Sequence, residues 1–582
     1  MLAQLVYLLY CYVTSHFVQV QTLLIAVLGV HYFIVYPFFI SSLRHVPGPY
    51  VNRISRFNAL NKQRKAHWIE TVNNLHSRYG DVVILAPNEI SVNGSSQYIH
   101  DIYIKNFPKS KFYENFRNHG FKDNIFASLE NDRHLRYKKI IVNLYSKTAI
   151  FHPKNQTRQL ICDKTGLLIK DIYTSSVSGE RPDYINAKSE YNEHGKGYLE
   201  GLSWFNRSKR EKSLGIDVYS LFGSFAIDVI SAFELGQQNG TDFLSHPEDR
   251  YMVLVHRMVA GMGFWTTLMP KFWNWAAGPK ISKAAEMLEK WQMGLYRRAE
   301  ENVPTLSGNE NKTTLETLKL SGLTNKNAYS FLSDNIFAGH ETTAIQLTYL
   351  TYELSRPCHA AKQKRLQEEL RQAFGAPLSK ESLIDDFEAL EKLPYLNALI
   401  EENGRVHSSI PGAEPRVVDR PYFIALPGQK GPIQIPLGTT ISVLPYAVHR
   451  QPDIFPEPNH FVPERWLQYE NESAQDFKAR ITQQHKYMMP FGKGIRMCLG
   501  MQIALTEMKV VLANLYWHYG STIDRDWCDV VDYDPDTKLP APILLGARNR
   551  GNNRTDEEKM VMYDTYTSRP LNDECWLQWH EY

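Results

Sequence analysis

One stretch near the C-terminus decides the fold: Phe491-Gly492-Lys493-Gly494-Ile495-Arg496-Met497-Cys498-Leu499-Gly500. A cysteine binds a metal as the thiolate, so positive charge and backbone donors must favour its anion. Arg496 supplies a fixed charge and a planar fork of donors that suits a carboxylate. Phe491 can shield the sulfur. A lone buried cysteine is usually inert, but the whole pattern F-x-x-G-x-R-x-C-x-G would very rarely arise by chance, so we predict that Cys498 is a metal-ligating thiolate.

The glycines of this stretch indicate how the loop is folded. Gly494 and Gly500 would allow the backbone to come close to its neighbours and to adopt turns that other residues avoid. A helix that begins near Leu499 would direct its N-terminal amides at the Cys498 sulfur. The sequence therefore predicts a tight loop that ends in a helix, with the sulfur at the junction.

A second polar constellation interrupts a long apolar helix: Ala338-Gly339-His340-Glu341-Thr342-Thr343. Ala338 and Thr342 are four residues apart and share a helix face, with Glu341 beside it. Thr342 can bond back to a helix carbonyl and open a local groove, and Gly339 would leave space for a flat ligand. An acid and an alcohol at such a groove can relay protons. The alternative for an isolated match is a polar patch in a core helix.

These motifs together resemble the cytochrome P-450 superfamily. The cysteine loop matches that family's haem-binding signature, with Ala504 and Glu507 fitting the helix that follows, and the Ala338 motif matches its oxygen-activation motif. The resemblance runs from about Pro47 to Ala547, in the family's motif order, and is closest in pattern to fungal microsomal members. It implies a mainly α fold with small antiparallel β-sheets behind an N-terminal transmembrane helix.

The resemblance assigns roles to further residues. Glu402 and Arg405, three apart on a helix, would bond with Arg465 of the segment Pro463-Glu464-Arg465-Trp466 to lock the haem-side core. The resemblance implies that Cys498 binds the haem iron and that Glu341 and Thr342 relay protons. The residues implied in binding haem are Phe491, Gly494, Arg496, Ala338, Gly339, Arg416, His134 and Lys138. His134 and Lys138 replace the family's Trp and Arg, and a solvated helix is the alternative for both.

Composition excludes several other classes of protein. The chain has 582 residues, is 43% hydrophobic and carries a formal net charge of +3, which gives no support for nucleic-acid binding. Its six cysteines lie far apart, so neither a zinc knuckle nor a disulfide scaffold is indicated. We see no linker or repeat and expect one large folded body.

The N-terminus is predicted to be a membrane anchor. No charged side chain precedes Arg44, and Thr22–Ile40 is almost wholly apolar. As a helix it would span about 28 Å, near the roughly 30 Å hydrocarbon core, and Pro37 would bend or end it. A cleaved signal peptide would want a basic start and a shorter core. Insertion of residues 4–14 as well stays open.

Charge next to the anchor predicts the topology. Six Lys or Arg residues follow from Arg44 to Lys65 before the first acid, Glu70, which places the body on the cytoplasmic side of the endoplasmic reticulum. The N-x-S/T sequons between Asn93 and Asn553 are therefore interpreted as chance matches. We divide the chain into an anchor (1–43), a proline-rich basic hinge (44–65) and a catalytic domain (66–582).

Periodicity predicts the main elements of the body. Helices are expected at 66–78, 216–235, 281–301, 326–355 and 359–374. Strands are expected at 81–85, 90–92, 432–444 and near 541–546. Two polar stretches, 188–213 and 547–559, are expected to be irregular.

The implied activity is a haem-b-dependent monooxygenation of a lipophilic substrate. Fungal members of this type often act in terpenoid, polyketide or alkaloid biosynthesis. No G-x-G-x-x-G motif follows a strand, so electrons would come from NADPH through a separate NADPH–cytochrome P-450 reductase, with cytochrome b5 as an optional second donor. The pocket would be formed by 112–126, Ile336, Phe337 and 408–413. The alternatives are a haem-thiolate isomerase or dehydratase without oxygen activation, and a non-catalytic haem-binding protein.

Overall fold

The described part of the chain is predominantly helical. The computed structural model describes residues 4, 14–15, 17–117, 124–180, 214–260, 272–302, 312–533, 540–546 and 554–582. Its α-helices are α1 (Phe17–Val30), α2 (Tyr50–Ile54), α3 (Phe57–Arg64), α4 (Trp68–Tyr79), α5 (Ser96–Ile99), α6 (Asn131–Ile141), α7 (Lys147–Phe151), α8 (Gln156–Ile172), α9 (Val218–Leu235), α10 (Tyr251–Ala260), α11 (Trp273–Ala277), α12 (Pro279–Glu301), α13 (Thr314–Leu320), α14 (Asn325–Ser355), α15 (Ala360–Phe374), α16 (Phe387–Leu390), α17 (Pro394–Val406), α18 (Pro445–Val448), α19 (Ala474–Tyr487), α20 (Met501–His518) and α21 (Asp556–Lys559). The five predicted helices are confirmed to within two residues at either end.

The strands are short and form small sheets. They are β1 (Val82–Ala86), β2 (Glu89–Val92), β3 (Ile216–Asp217), β4 (Arg416–Val417), β5 (Tyr422–Ile424), β6 (Ile433–Ile435), β7 (Thr440–Val443), β8 (Tyr519–Ile523), β9 (Leu545–Gly546), β10 (Met562–Tyr563) and β11 (Trp576–Glu581). The largest sheet has the order β1-β2-β7-β4, and β8 and β3 flank β11. Most pairs are antiparallel as expected, but β2–β7 and β9–β10 are parallel, because long connections leave strand direction free.

Helix α14 forms the centre of the body. Its 31 residues span about 46 Å, and it packs against α9 along one side and α20 on another. Helix α9 is long and apolar enough to cross a membrane, but 94% of it is buried within the fold. It is therefore a core helix, which explains its lack of a polar face.

The N-terminal apolar segment differs from α9 in being exposed. Phe17–Ile40 has a mean hydropathy of 2.2 and is only 6% buried, so this helix could span a membrane. Of the two effects expected of Pro37, a bend or an end, the second does not occur, because Pro37 lies inside the helix. The residues from His31 to Ile40 form a wider π-helix, in which the Ser41 amide donates to the Tyr36 carbonyl at 2.8 Å. Wider turns accommodate a proline that cannot donate to the usual partner.

The predicted hinge is packed onto the body. Val46 is buried, and Arg53 donates to the Leu43 and Val46 carbonyls at 2.8 and 2.6 Å. A Cβ on Gly48 would lie 2.8 Å from Ile84 in β1, so only glycine permits this approach. The segment therefore fixes the start of the body rather than acting as a free linker.

The two polar stretches have different outcomes. Residues 188–213 lie outside the described residues, as do 547–553. The end of the second stretch is helical, contrary to expectation, because a capping box between Thr555 and Glu558 starts α21.

Candidate active site

The cysteine loop is held in shape by glycines. Gly492 and Gly494 have φ values of +69° and +72°. A Cβ on Gly494 would lie 2.0 Å from the Tyr103 carbonyl oxygen, so a larger residue cannot replace it. Gly500 has an ordinary φ of −80°. The turn expected at Gly494 is therefore present, and Gly492 makes a second one that the sequence analysis did not predict. Gly500 has no such turn, contrary to expectation.

Cys498 lies at the junction of this loop and α20. Its amide donates to the Phe491 carbonyl at 2.8 Å. Burial raises the pKa of the Cys498 thiol, while hydrogen bonds from the Gly500 and Met501 amides oppose that effect. The Cys498 side chain is exposed, yet the surrounding protein still raises the pKa of its thiol. The sulfur therefore faces a space inside the protein. The amides at the start of α20 stabilise the thiolate, as the sequence predicts.

Helix α14 brings the predicted acid–alcohol pair to the centre of the fold. The Thr342 hydroxyl donates to the Ala338 carbonyl at 2.8 Å, which is the back-bond expected at this groove. Glu341 is 1% exposed, and burial raises the pKa of its carboxyl group, while the charge of Arg569 is the largest opposing effect. The alcohol thus faces open space and the acid faces the protein interior.

Gly339 has a different purpose from the one expected. A Cβ at this position would lie 2.6 Å from the Ile230 side chain of α9. The glycine is therefore required by close packing between α9 and α14, and the space it leaves is filled by Ile230.

Helix α20 connects the sulfur to α14. Burial raises the pKa of Glu507 to about 8, and a hydrogen bond to Thr343 limits the rise. Glu507 follows Cys498 by nine residues, and Thr343 follows Thr342 directly. This buried contact places the helix of the ligand beside the helix of the acid–alcohol pair.

A group of buried cations lies on the other side of the loop. Arg496 donates to the Ser128 and Leu129 carbonyls at 2.7 and 2.9 Å, and burial together with the charge of Arg416 lowers the pKa of Arg496 to about 9. Arg416 is 2% exposed, and its Nε has no hydrogen-bond partner among the described residues.

Lys109 belongs to this group and was missed by sequence reasoning. It lies over the rings of Tyr113 and Phe126 at 3.9 and 3.7 Å from their centroids. Burial and the charges of Arg416 and Arg496 lower its pKa far below the usual value. No local motif marks Lys109, since a bridge between distant segments brings it beside Arg416.

The neighbouring acids do not balance these cations. Glu414 Oε2 is 3.7 Å from Arg416, and burial raises the pKa of Glu414. Burial also raises the pKa of Asp334 to about 7, so it is only partly ionised at neutral pH. The cluster therefore carries excess positive charge, which suits a dianionic ligand.

His134 and Lys138 on α6 support the cysteine loop. His134 Nε2 and Lys138 Nζ are 3.1 and 3.0 Å from the Ile495 carbonyl oxygen. Burial lowers the pKa of His134 to about 4, so this imidazole is neutral. Neither residue is simply solvated, as the alternative interpretation had it. Both contact the loop, and a role at a propionate stays a prediction for each.

The predicted carboxylate–arginine lock is confirmed as a set of contacts. Arg405 donates to both Glu402 oxygens at 2.8 Å. Arg465 Nε and Trp466 Nε1 donate to the same carboxylate at 3.0 and 2.9 Å. Gly404, between the pair, lies against Pro490, which leads into the cysteine loop. The network therefore joins α17 to the segment that contains Arg465 and Trp466, and Gly404 allows α17 to lie close to the residue that precedes the cysteine loop.

Aromatic residues cluster in the segment predicted to form a pocket wall. Phe112, Tyr113, Phe116 and Phe126 stack edge-on with one another, at centroid distances of 5.0 to 5.7 Å for the closer pairs. Tyr566, from the C-terminal region, completes the cluster at 5.6 Å from Phe112 and 5.1 Å from Phe116. Residues 118–123 of this predicted wall lie outside the described residues.

The other predicted wall residues differ in their surroundings. Ile336 is fully buried in α14. Phe337 packs 6.2 Å from the His340 ring. Ser409 donates to the Thr342 carbonyl at 2.9 Å, which brings the 408–413 segment against the acid–alcohol pair.

The donor set fits an iron porphyrin. Cys498 offers one axial thiolate supported by helix amides, and Lys109, Arg416 and Arg496 offer uncompensated charge for two carboxylates. A mainly helical fold with this cysteine loop defines the class of haem-thiolate proteins.

Comparison with known proteins specifies that class. The family model for cytochrome P-450 matches residues 200–526, and the chain belongs to this family. It is 26% identical to the cytochrome P-450 monooxygenase hkm5 of Aspergillus hancockii, over 88% of this chain and 93% of that protein. It is 26% identical to the monooxygenase FGM1 of Gibberella zeae (81% and 86%) and 25% identical to sdnE of Sordaria araneosa (88% and 93%). The chain is a cytochrome P-450 monooxygenase.

Proposed function

We propose that this monooxygenase inserts one oxygen atom from dioxygen into a lipophilic substrate in fungal secondary metabolism, in a terpenoid, polyketide or alkaloid pathway. The observation that supports the reaction class is the environment of the Cys498 sulfur, which accepts hydrogen bonds from backbone amides at the start of α20. The apolar substrate is supported by the aromatic wall around Phe112 and Tyr566. The pathway type is supported by the fungal relatives.

Haem b is the proposed cofactor. Cys498 would hold the iron, and Arg416, Arg496 and Lys109 would face the propionates, with His134 and Lys138 supporting the loop. When bound, this group supplies the binding and reductive activation of dioxygen. The chain itself contributes the anionic sulfur, whose thiolate form is favoured by the Gly500 and Met501 amides.

The chain also delivers the protons of the reaction. The Thr342 hydroxyl is the proposed final donor, and its hydrogen bond to the Ala338 carbonyl must break when it donates elsewhere. Glu341 is the proposed proton source behind it. Its carboxylate oxygens have no hydrogen-bond partner among the described residues, so no hydrogen bond would have to break for this side chain to turn towards the groove.

Electrons would come from NADPH through a separate reductase, with cytochrome b5 as an optional second donor. The proposed docking face is the one behind the cysteine loop. Lys493 lies there, and Arg136 and Lys139 are exposed on α6, whose other side contacts Ile495. Basic residues at this face would attract an acidic partner. The basic charges beside the anchor support a cytosolic position for this face, which we propose lies at the endoplasmic reticulum membrane.

Replacement of the cysteine tests the proposal. Cys498→Ser should remove the red-shifted absorption band that a thiolate gives to the reduced carbon monoxide adduct. Cys162→Ser is the matched control, because Cys162 is a free and only partly buried thiol on α8. The control should keep the band. A Cys498→Ser protein with an unchanged band, or wild-type protein that takes up no haem, would refute the proposal.

A further inference from the structure

A closed loop near the C-terminus reaches the acid–alcohol pair. The Tyr563 amide donates to the Arg569 carbonyl at 2.9 Å, and Met562 and Pro570 form a β-bridge. We call residues 563–569 the C-terminal loop. Its base is further held by the Ser568 hydroxyl, which donates to the Tyr563 carbonyl at 2.9 Å. These contacts close the loop at its base.

The C-terminal loop contacts Glu341 directly and reaches Thr342 through Ser409. The Ser568 amide donates to the Ser409 carbonyl at 2.9 Å, and the Ser409 hydroxyl donates to the Thr342 carbonyl at 2.9 Å. On the other side, Arg569 Nη1 lies 3.6 Å from Glu341 Oε1. The contact between Arg569 and Glu341 joins residues more than 200 positions apart in sequence.

The contact between Arg569 and Glu341 is made by charge rather than by a hydrogen bond. The distance of 3.6 Å exceeds hydrogen-bond length, and neither Glu341 oxygen has a hydrogen-bond partner among the described residues. Both side chains are nearly inaccessible, at 8% and 1% exposure, where charges interact strongly. Arg569 is itself fixed, because its Nε donates to Asp573 Oδ1 at 2.5 Å.

We propose that Arg569 is a positioning residue that holds the Glu341 carboxylate ionised and turned towards the interior. The carboxylate of Asp573 partly neutralises the charge of Arg569 and so weakens this effect. The inference rests on the proposed function for the role of Glu341 as a proton source. A carboxylate held only by its attraction to a cation keeps its orientation while it is ionised. It can turn away once it accepts a proton, because protonation removes that attraction. This is the property required of a group that carries protons to Thr342.

Two neighbours of Glu341 have opposite effects on its pKa, so replacing each one should give a different result. The charged and titratable groups that interact with it are Arg257 on α10, Tyr219 on α9, Arg569 and Asp573. Its neighbour His340 packs against His256 of α10. Burial raises the pKa of Glu341, the charges of Arg569 and Arg257 lower it, and Asp573 raises it. Loss of Arg569 should therefore raise this pKa further, whereas loss of Asp573 should lower it.

The test is a pH titration of Glu341 in the full-length holoenzyme. Infrared difference spectra give the protonated-carboxyl band that Glu341→Gln removes. In Arg569→Gln the midpoint of this band should move to higher pH by about one pH unit, and in Asp573→Asn it should move to lower pH. The pH at which product formed per NADPH is half-maximal should move in the same direction in each variant.

Two further variants make the result specific. Arg569→Lys keeps the charge and should leave the midpoint below that of Arg569→Gln. Arg554→Gln removes an exposed ion pair with Asp529 in the same region and should change neither measurement. If Arg569→Gln fails to fold, the decrease in the midpoint pH expected for Asp573→Asn tests the inference by itself.

The inference is overturned if the two midpoints move in the same direction, if neither moves, or if the yield of product per NADPH does not follow them. A purely structural role of the C-terminal loop would lower stability and activity in both variants without opposite pH effects. Failure of the proposed function would be separate, because it would show as absent haem or absent turnover while the titration of Glu341 could still be measured.

Discussion

At the scale of single residues, Thr342 offers the clearest functional test. Its hydroxyl faces the open side of α14 and bonds only to the Ala338 carbonyl in the described part of the chain. In Thr342→Ala, proton delivery would lose its last donor, so we expect product per NADPH to fall by about tenfold or more. The lost electrons should be recovered as hydrogen peroxide. Parallel assays of NADPH, product and peroxide measure this.

Thr348 provides the matched control for Thr342. It lies on the same helix and makes the same back-bond, to the Ala344 carbonyl at 2.7 Å, but it is fully buried. Thr348→Ala should therefore lower stability slightly and leave the ratio of product to NADPH unchanged. Equal uncoupling in both variants would show that the helix, rather than the Thr342 hydroxyl, matters.

The residues found from sequence and those missed differ in one physical respect. Cys498, Glu341 and Thr342 are recognisable because their chemistry is carried by neighbours within a few positions. Lys109 and Arg569 have no such local pattern. Each becomes functional only because the fold buries it beside charges from distant segments, which a single sequence does not reveal.

At the scale of elements, the Glu402 network joins α17 to the segment that contains Val462, Arg465 and Trp466. Glu402 accepts from Arg405, Arg465, Trp466 and the Val462 amide, and it is fully buried. Glu402→Gln would leave two buried guanidinium groups without their counter-charge. We expect the free energy of unfolding to fall by about 3–5 kcal/mol, measured by denaturant titration together with haem retention.

The adjacent acid is the control, and pH gives a second check. Glu401→Gln alters an exposed side chain 3.8 Å from His485 and should change stability by less than about 0.5 kcal/mol. The pKa of Glu402 is lowered, since the charges of Arg405 and Arg465 outweigh burial. Its contribution is thus present above the unfolded pKa and lost as pH falls through the folded pKa. Equal acid sensitivity of wild type and Glu402→Gln would contradict this.

Elements with a strong period were predictable, and those set by tertiary packing were not. Helices such as α12 and α14 follow from their apolar spacing. The parallel pairing of β2 with β7 joins strands about 350 positions apart, and no local signal gives its direction. Gly339 illustrates the same limit, because its neighbour Ile230 belongs to another helix.

At the scale of the whole molecule, the anchor and the body meet at Ser41. Leu43 and Val46 are 2% and 0% exposed, so they belong to the body, whereas Phe17–Ile40 is almost wholly exposed. Deletion of residues 1–40 should release the protein into the supernatant of an alkaline carbonate wash without lowering its melting temperature. Deletion of residues 1–46 should release it as well but lower that temperature, because two buried apolar side chains are lost. A protein without residues 1–40 that still resists carbonate would show that the body has a second membrane attachment.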